Sequence, residues 1–576
     1  TGAKIADDAI DSEHYTDGSI DVAHMSANSI DSAQYVDGSI DLAHMSVNSI
    51  DSDQYVDGSI DTAHIADDQV TLAKMAGITR GSIIIGNSSG NPAALAIGTN
   101  DYVLTSDGTD IAWETAGGGG ASDIDGLSDA KSAGTNFTGS LIIGHQTTGT
   151  LSSADYNTAV GLTAMDAITS GDYNTALSYG ALGANTSAGY NTAVGYNALT
   201  TTTTGDQNVA VGFATLDAVT TGSGNVAMGQ NAGSAITTGS TNVAIGGNPL
   251  TTCTTGGNNI AIGVLALAAL TDANNNVAIG YYAGNAITTA AANVAIGYLA
   301  GKLITTATNN VAVGNVALSA NTTGAGNTAL GSQALEINTT AANNTALGFY
   351  AMRQNTTGAS NVGIGGYALA YNTTASNNTS VGYDSLVVNT TGAGNVAVGY
   401  RALDANTTGS DSVAVGSNAL GATTTGVRNI GIGNAALSTI TTAANNTAVG
   451  YQAATANIDS SQITAIGCWA LKALTSGANN SAFGFAALYT NTTGADNVAV
   501  GGGALELNTT ASKNTALGYS ALQANTTSSE NVAVGYFALD TQTTGTRNVA
   551  IGAYALKLST TANDLVAIGC TALDAN

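Results

Sequence analysis

The segment NVAVGYRALDANTTGSD at residues 395–411 is one copy of a unit that fills most of the chain. NTAVGYNALTTTTTGDQ (191–207) and NTALGYSALQANTTSSE (514–530) are two more copies in the same frame. Starting at Asn157 and stepping by 17 gives 25 units with no insertion or deletion, the last beginning at Leu565. SLIIGHQTTGTLSSADY (140–156) fits the same frame one step earlier. A fixed period of this length is the mark of a repeat architecture in which each unit rests on its neighbour.

Position 1 of the unit is Asn in 22 of 25 copies, position 2 is β-branched in 24, and position 4 is apolar in all 25. Position 3 is Ala, Gly or Ser throughout, and position 5 is Gly in 24 copies, Ser178 being the exception. Alternation of this kind over positions 2 to 4 predicts a short strand ending in a Gly turn. Ala is usual at position 8, Leu or Met occupies position 9 in 21 copies, and Thr-Thr-Gly or Thr-Thr-Ala follows near positions 13–15. The unit is therefore expected to be one coil of a β-solenoid built from two short strands and two turns. Coils stacked about 4.8 Å apart would extend 25 units to about 120 Å. The Val, Ile and Leu of positions 2 and 4 are expected to form the buried apolar ladders. The Asn of position 1, with Asn321, Asn338, Asn355 and Asn372 at position 12, is expected to form amide ladders. Small residues at positions 3 and 8 would then leave one face thinly covered, suited to close approach of identical chains. The expected fold class is all-β: a parallel β-roll of 17-residue coils in an elongated, fibrous, homotrimeric assembly.

The N-terminal part obeys a different rule. Ile10, Ile20, Ile30, Ile40, Ile50, Ile60 and Val70 lie ten residues apart, and Asp follows each Ile from Asp11 to Asp61. This predicts a decapeptide-repeat shaft over 1–78, with Asp-Gly and Asn-Ser as turns. Residues 79–116 read as a strand-rich module closed by Trp113, residues 117–139 as a Gly-rich joint and connector, and 140–576 as the β-roll.

Composition agrees with a repetitive fibre. The 576 residues include 73 Gly and only 2 Pro, 9% are charged and 5% aromatic. The net charge is −27, and residues 1–130 hold 22 acids against 3 bases. A polyanion would repel nucleic acid. The longest apolar run, Ile260 to Leu270, has 11 residues and is too short to cross a bilayer. Cys253, Cys468 and Cys570 are three in number and far apart, so they suggest neither a disulfide framework nor a zinc site.

Family resemblance enters with particular segments. GSIIIGNSSG and LAIGTNDYVLTSDGTDIAW, within 81–113, resemble a module of bacteriophage tail-fibre proteins, as does DGSIDTAHIADDQVTLAKM (57–75). The NTAVGYxAL units resemble the repeats of phage tail fibres that end in an intramolecular chaperone. They also resemble the heads of trimeric autotransporter adhesins, which are parallel β-rolls in trimers. These resemblances imply a structural fibre of a virion that supports attachment to a host surface. Its partners would be two further copies of itself, tail or baseplate proteins, and a host cell-surface glycan or protein. A bacterial surface adhesin and a tailspike-type polysaccharide depolymerase are the alternatives.

Candidate chemistry is sparse. His14, His24, His44 and His64 share one decapeptide position, but Gln34 and Gln54 interrupt the series, so polar rungs are favoured over metal ligands. The Asp column from Asp11 to Asp61 suits turn capping better than Ca²⁺. Asn-Thr-Thr at 321, 338, 355, 372, 389 and 406 matches a glycosylation sequon but follows from the repeat. Aromatics at position 6, including Tyr196, Phe213, Tyr281, Tyr298, Tyr383, Tyr400, Tyr519 and Tyr536, are expected to pack between coils or subunits rather than to stack on sugars. No spacing suggests a catalytic constellation, so no catalytic, metal or cofactor residue is assigned, and no enzyme activity is expected. If the coil assignment holds, deleting 17 residues as one whole coil leaves a folded protein that is shorter by about 4.8 Å. Deleting 8 residues destroys it, and scattering with circular dichroism distinguishes the two outcomes.

Overall fold

In a computed structural model, residues 151–574 are described continuously, together with 82–86, 92–96, 102–106, 111–115, 130–132, 136–144 and the single residues 79, 89 and 108. Among the described residues there is no helix. The chain divides into two compact units, 1–117 and 118–576. The decapeptide array lies outside the described residues. In the first unit, β1 (Ile83–Gly86) pairs antiparallel with β2 (Pro92–Leu95), and β3 (Tyr102–Ser106) with β4 (Ile111–Thr115).

The second unit is a parallel β-solenoid. After β5 (Ala130–Ser132) and β6 (Leu141–Ile143), strands recur from β7 (Thr158–Val160) to β31 (Val566–Ile568), three residues each, at positions 2 to 4 of the coil. Each strand pairs in register with the equivalent strand of the next coil, as in Thr328↔Thr345, Ala329↔Ala346 and Leu330↔Leu347. The pairings form a linear stack from β5 to β31 rather than a closed ring. At its start β5 runs antiparallel to β6, and Phe137, between them in sequence, is buried in the core (2% exposed). Thr138 N donates to Asp155 Oδ1 at 2.6 Å, tying this segment to the first full coil. A reversed strand with a plugged interior closes an edge that would otherwise accept another chain.

Only one strand per coil is regular, where two were expected. The opposite side is held by position 13, which is Thr in every coil that reaches it except at Ile458. Thr322 donates both its backbone N–H (2.8 Å) and its Oγ1 hydroxyl (3.0 Å) to the carbonyl of Thr339 one coil on. The Thr pairs are therefore coil-to-coil rungs, and their side chains reinforce a backbone bond that lacks strand geometry.

The interior is the reverse of the expected one. Position 3 points inward: Ala159, Ala193, Ala210 and their equivalents are fully buried, while the flanking residues at positions 2 and 4 face outward. The core consists of Ala at positions 3 and 8, Leu at 9, Asn at 1, and Asn, Ile or another small or apolar residue at 12. Tight turns make the coil narrow, and only small side chains fit where its two sides approach. Position 5 shows the constraint directly. Gly263 has φ +131°, and a Cβ there would lie 2.5 Å from the Gly280 carbonyl oxygen.

The interior Asn column is satisfied rung by rung. Asn361 N donates to Asn344 Oδ1 (2.9 Å), Asn361 Nδ2 to the same oxygen (3.2 Å), and Asn361 Nδ2 to the Ala375 carbonyl (2.8 Å). Each buried amide thus finds partners in the coils before and after it, which removes the cost of burying it. Asn at position 12 forms a second column, with Asn338 Nδ2 to Asn321 Oδ1 at 3.0 Å and Asn355 Nδ2 to Asn338 Oδ1 at 2.9 Å. That column gives way to apolar residues in other coils, such as Ile236, Ile287 and Ile304.

Leu at position 9 adopts a left-handed backbone, for example Leu335 (φ 50°) and Leu437 (φ 52°). That conformation costs about 1–2 kcal/mol for a non-Gly residue, and burying the side chain contributes about 1.5–3 kcal/mol. The margin is narrow enough for substitution when the volume is supplied elsewhere. Position 9 is Gly in three coils, Gly233, Gly284 and Gly301, and all three carry Ile at position 12. A Cβ on Gly301 would meet Ile304 Cδ1 at 2.9 Å, so the Ile occupies the space. In another coil Ser380 and Ser385 replace both interior Ala residues and contact each other, and Ser380 Oγ donates to the Ser385 carbonyl at 2.8 Å.

This exchange predicts that Leu318→Gly, beside Asn321, destabilises the solenoid by about 3 kcal/mol, within the range for emptied core sites. Leu437→Gly, beside Ile440, should cost at least about 1 kcal/mol less, because Ile440 can fill the void. Urea midpoints of the two variants measure the difference.

Candidate interaction surface

With Ala turned inward, positions 2 and 4 form an outward sheet face of Val, Ile, Leu and Thr running along all 25 coils. Neighbouring coils cover the flanks of each side chain and leave the tips open. Val211 and Ile245 are half-buried on this account, and Leu177 is 47% exposed. The volume and polarity of these positions vary, from Ser481 to Met228 and Phe483, as suits an outward face.

Just beyond this face lies the corner formed by positions 6 and 7. Tyr179, Tyr196 and Phe213 stack there at 5.3 and 5.2 Å, with ring planes within 13° of parallel. Tyr383 and Tyr400 stack at 6.1 Å, and Tyr519 and Tyr536 at 5.7 Å. A separate column at position 17 joins Tyr156, Tyr173 and Tyr190 at 4.9 and 5.0 Å. The expectation that aromatics pack between coils holds for these residues. Their faces are turned to one another. Burial of the phenol, with Tyr156, Tyr190, Asp172 and Asp155 close by, raises the Tyr173 pKa.

Charge is confined to a few columns. The solenoid's Arg401 stands at position 7, Lys302, Arg353, Lys472 and Lys557 at position 10, and Arg428, Lys513 and Arg547 at position 17. At position 17 the sign alternates over Asp496, Lys513, Glu530, Arg547 and Asp564, so in this column like charges do not stand on adjacent coils, whereas Asp155 and Asp172 do so at position 16. The Arg547 guanidinium holds Asp564 with bonds of 2.6 and 2.9 Å and lowers its pKa. Each base at positions 7 and 10 lies over an aromatic ring, from Arg353 at 4.8 Å above Tyr350 to Lys302 at 5.9 Å from Tyr282.

The other candidates resolve simply. The His and Asp columns of 1–78 lie outside the described residues. Among the described residues no group of His, Cys, Asp and Glu could hold a metal ion, and no helix is long and apolar enough to cross a membrane. The sequon asparagines are buried in the position-12 column, with Asn355 Nδ2 bound to Asn338 Oδ1 and the Gly358 carbonyl. Their amides are bonded within the stack and do not reach solvent. No protein-family model, curated protein or solved structure matches this chain.

The pairing of bases with rings is hard to read from sequence because the partners lie anywhere from 1 to 20 residues apart. A table of charges by coil position would have exposed it. The three cysteines test the inside–outside assignment. Cys253 stands at position 12 in the core, and burial pushes its thiol up to about 11, so almost no thiolate forms at pH 8. Cys468 and Cys570 stand at position 6 on the outer corner, the first half-buried and the second exposed. A thiol reagent at pH 8 should label Cys570 first and Cys468 more slowly, and should reach Cys253 only after denaturation.

Proposed function

We propose that this chain is the structural fibre of a virion, a phage tail fibre or a similar appendage, which extends from the particle and supports attachment to a host surface. It assembles as a homotrimer through the outward sheet face. That face carries the reading: a strip of Val, Ile, Leu and Thr that continues along every coil, of the kind that marks a protein contact surface. The small residues of positions 3 and 8, first assigned to the interface, line the coil interior instead. The contact surface therefore moves to positions 2 and 4.

A second copy offers the same strip with the same spacing between rungs, so copies in parallel register match along their length. Three is the copy number implied by the resemblance to tail fibres and adhesin heads. In such a fibre, function is reach and stiffness, and three chains present each surface feature three times. Tail or baseplate proteins hold one end, and a host glycan or protein meets the surface. Electron microscopy of particles labelled with an antibody to this chain tests the placement.

The assembly is tested by light scattering, which should give a mass about three times 56.5 kDa. Replacing Ile279, Ile296 and Val313, consecutive position-4 residues, with Glu should reduce the mass to that of one chain with the β-signal retained. A wild-type mass near 56.5 kDa would overturn the trimer.

A further inference from the structure

Three of the five bases that lie over rings also face a carboxylate. Arg353 Nε is 2.6 Å from Glu336, Arg401 Nε is 3.3 Å from Asp404, and Lys557 stands near Asp540, whose pKa burial raises and the ammonium only partly brings back. Lys302 and Lys472 differ. Lys302 is the only charged residue between Asp272 and Glu336, and Lys472 the only one between Asp459 and Asp496. Neither forms an ion pair among the described residues.

Both stand at position 10 amid clustered rings. The Lys472 ammonium lies 5.3 Å from the Trp469 ring centre and 5.4 Å from that of Tyr489. Phe485, 57% exposed, packs at 5.3 Å against Trp469. Lys302 lies 5.9 Å from Tyr282, which meets Tyr281 at 4.5 Å, and Tyr281 stacks on Tyr298 at 5.6 Å. In a chain of net charge −27, two unpaired cations over half-buried rings, with the exposed Phe485, Tyr281 and Tyr298 beside them, are a local reversal of sign.

We infer that these two corners are binding sites for an anionic glycan, a pyranose ring carrying a carboxylate or phosphate. The rings present apolar surface to the C–H face of the sugar, and the ammonium pairs with the anion, having no carboxylate of its own to displace. The sites are ten coils apart, about 48 Å along the stack, so one long polysaccharide can engage both and gain from effective concentration. The inference rests on the host-attachment reading and names the chemical class that the surface takes.

The test uses the full chain with Trp113→Phe, which leaves Trp469 as the only tryptophan. Its fluorescence is followed while polygalacturonate, a phosphomannan or neutral dextran is added. The expected result is a saturable change with at least one of the two anionic polymers, weakened by salt, and none with dextran. Lys472→Met should raise the apparent Kd at least tenfold, and Lys472→Arg should restore it. Calorimetry on Lys302→Met should show half the number of sites with the Trp469 response intact. A response to dextran equal to that of the anionic polymers, or no response to any of them, overturns the inference. Adsorption of labelled fibre to host cells is measured in parallel. Adsorption without polymer binding sinks this proposal alone, and loss of wild-type adsorption sinks the attachment reading.

Discussion

Everything in the solenoid depends on superposition: each residue must lie over its equivalent 17 positions away. The strand bonds, the Thr rungs and the buried Asn amides all connect position n to the same, or nearly the same, position one coil on. The position-12 amides also bond within their own coil, as Asn355 Nδ2 does to the Gly358 carbonyl at 2.8 Å, but the strand bonds, the Thr rungs and the amide-to-amide bonds exist only between coils. A single inserted residue would shift all of these inter-coil bonds at once. The constant period is thus a condition of hydrogen-bond satisfaction in a dry interior.

The second constraint is width. The turns rely on left-handed residues at positions 5, 7, 9 and 17, and the cross-section they enclose admits little beyond Ala, Asn and one Leu. Within that limit volume is exchanged rather than fixed. Gly at position 9 accompanies Ile at position 12, Gly363 makes room beside Met352, and Ser380 accompanies Ser385. A core this thin tolerates substitutions in matched pairs because each coil is packed against only two others.

The period, the parallel strand at positions 2 to 4 and the Asn column were legible in the sequence because each rests on strict repetition. The facing of the strand is not legible from β-branching, because the β-branched residues lie on the outside of this coil. The informative signal was variance: position 3 never exceeds Ala or Ser in size, whereas positions 2 and 4 accept Thr158, Met228 and Phe483. The left-handed Leu residues were not legible, since no local preference favours them and only packing holds them there. The bare lysines were visible as letters, but their isolation appears only when charge is mapped onto the coil.

Near-identical coils raise a problem of counting, because a chain that skips one coil could still stack the rest. Position 12 answers it. Its run of apolar residues from Val219 to Ile304, then of Asn from Asn321 to Asn406, then of mixed residues, labels the stack from within. A chain that loops out a coil inside one block loses little. A slip that carries an Asn into the apolar block costs it the bond to the Asn of the neighbouring coil and leaves only the bonds to its own coil, as at Asn457 and Ser460 between Ile440 and Leu474. The column therefore works as a set of internal bookmarks that keeps a repetitive polymer in its one correct alignment.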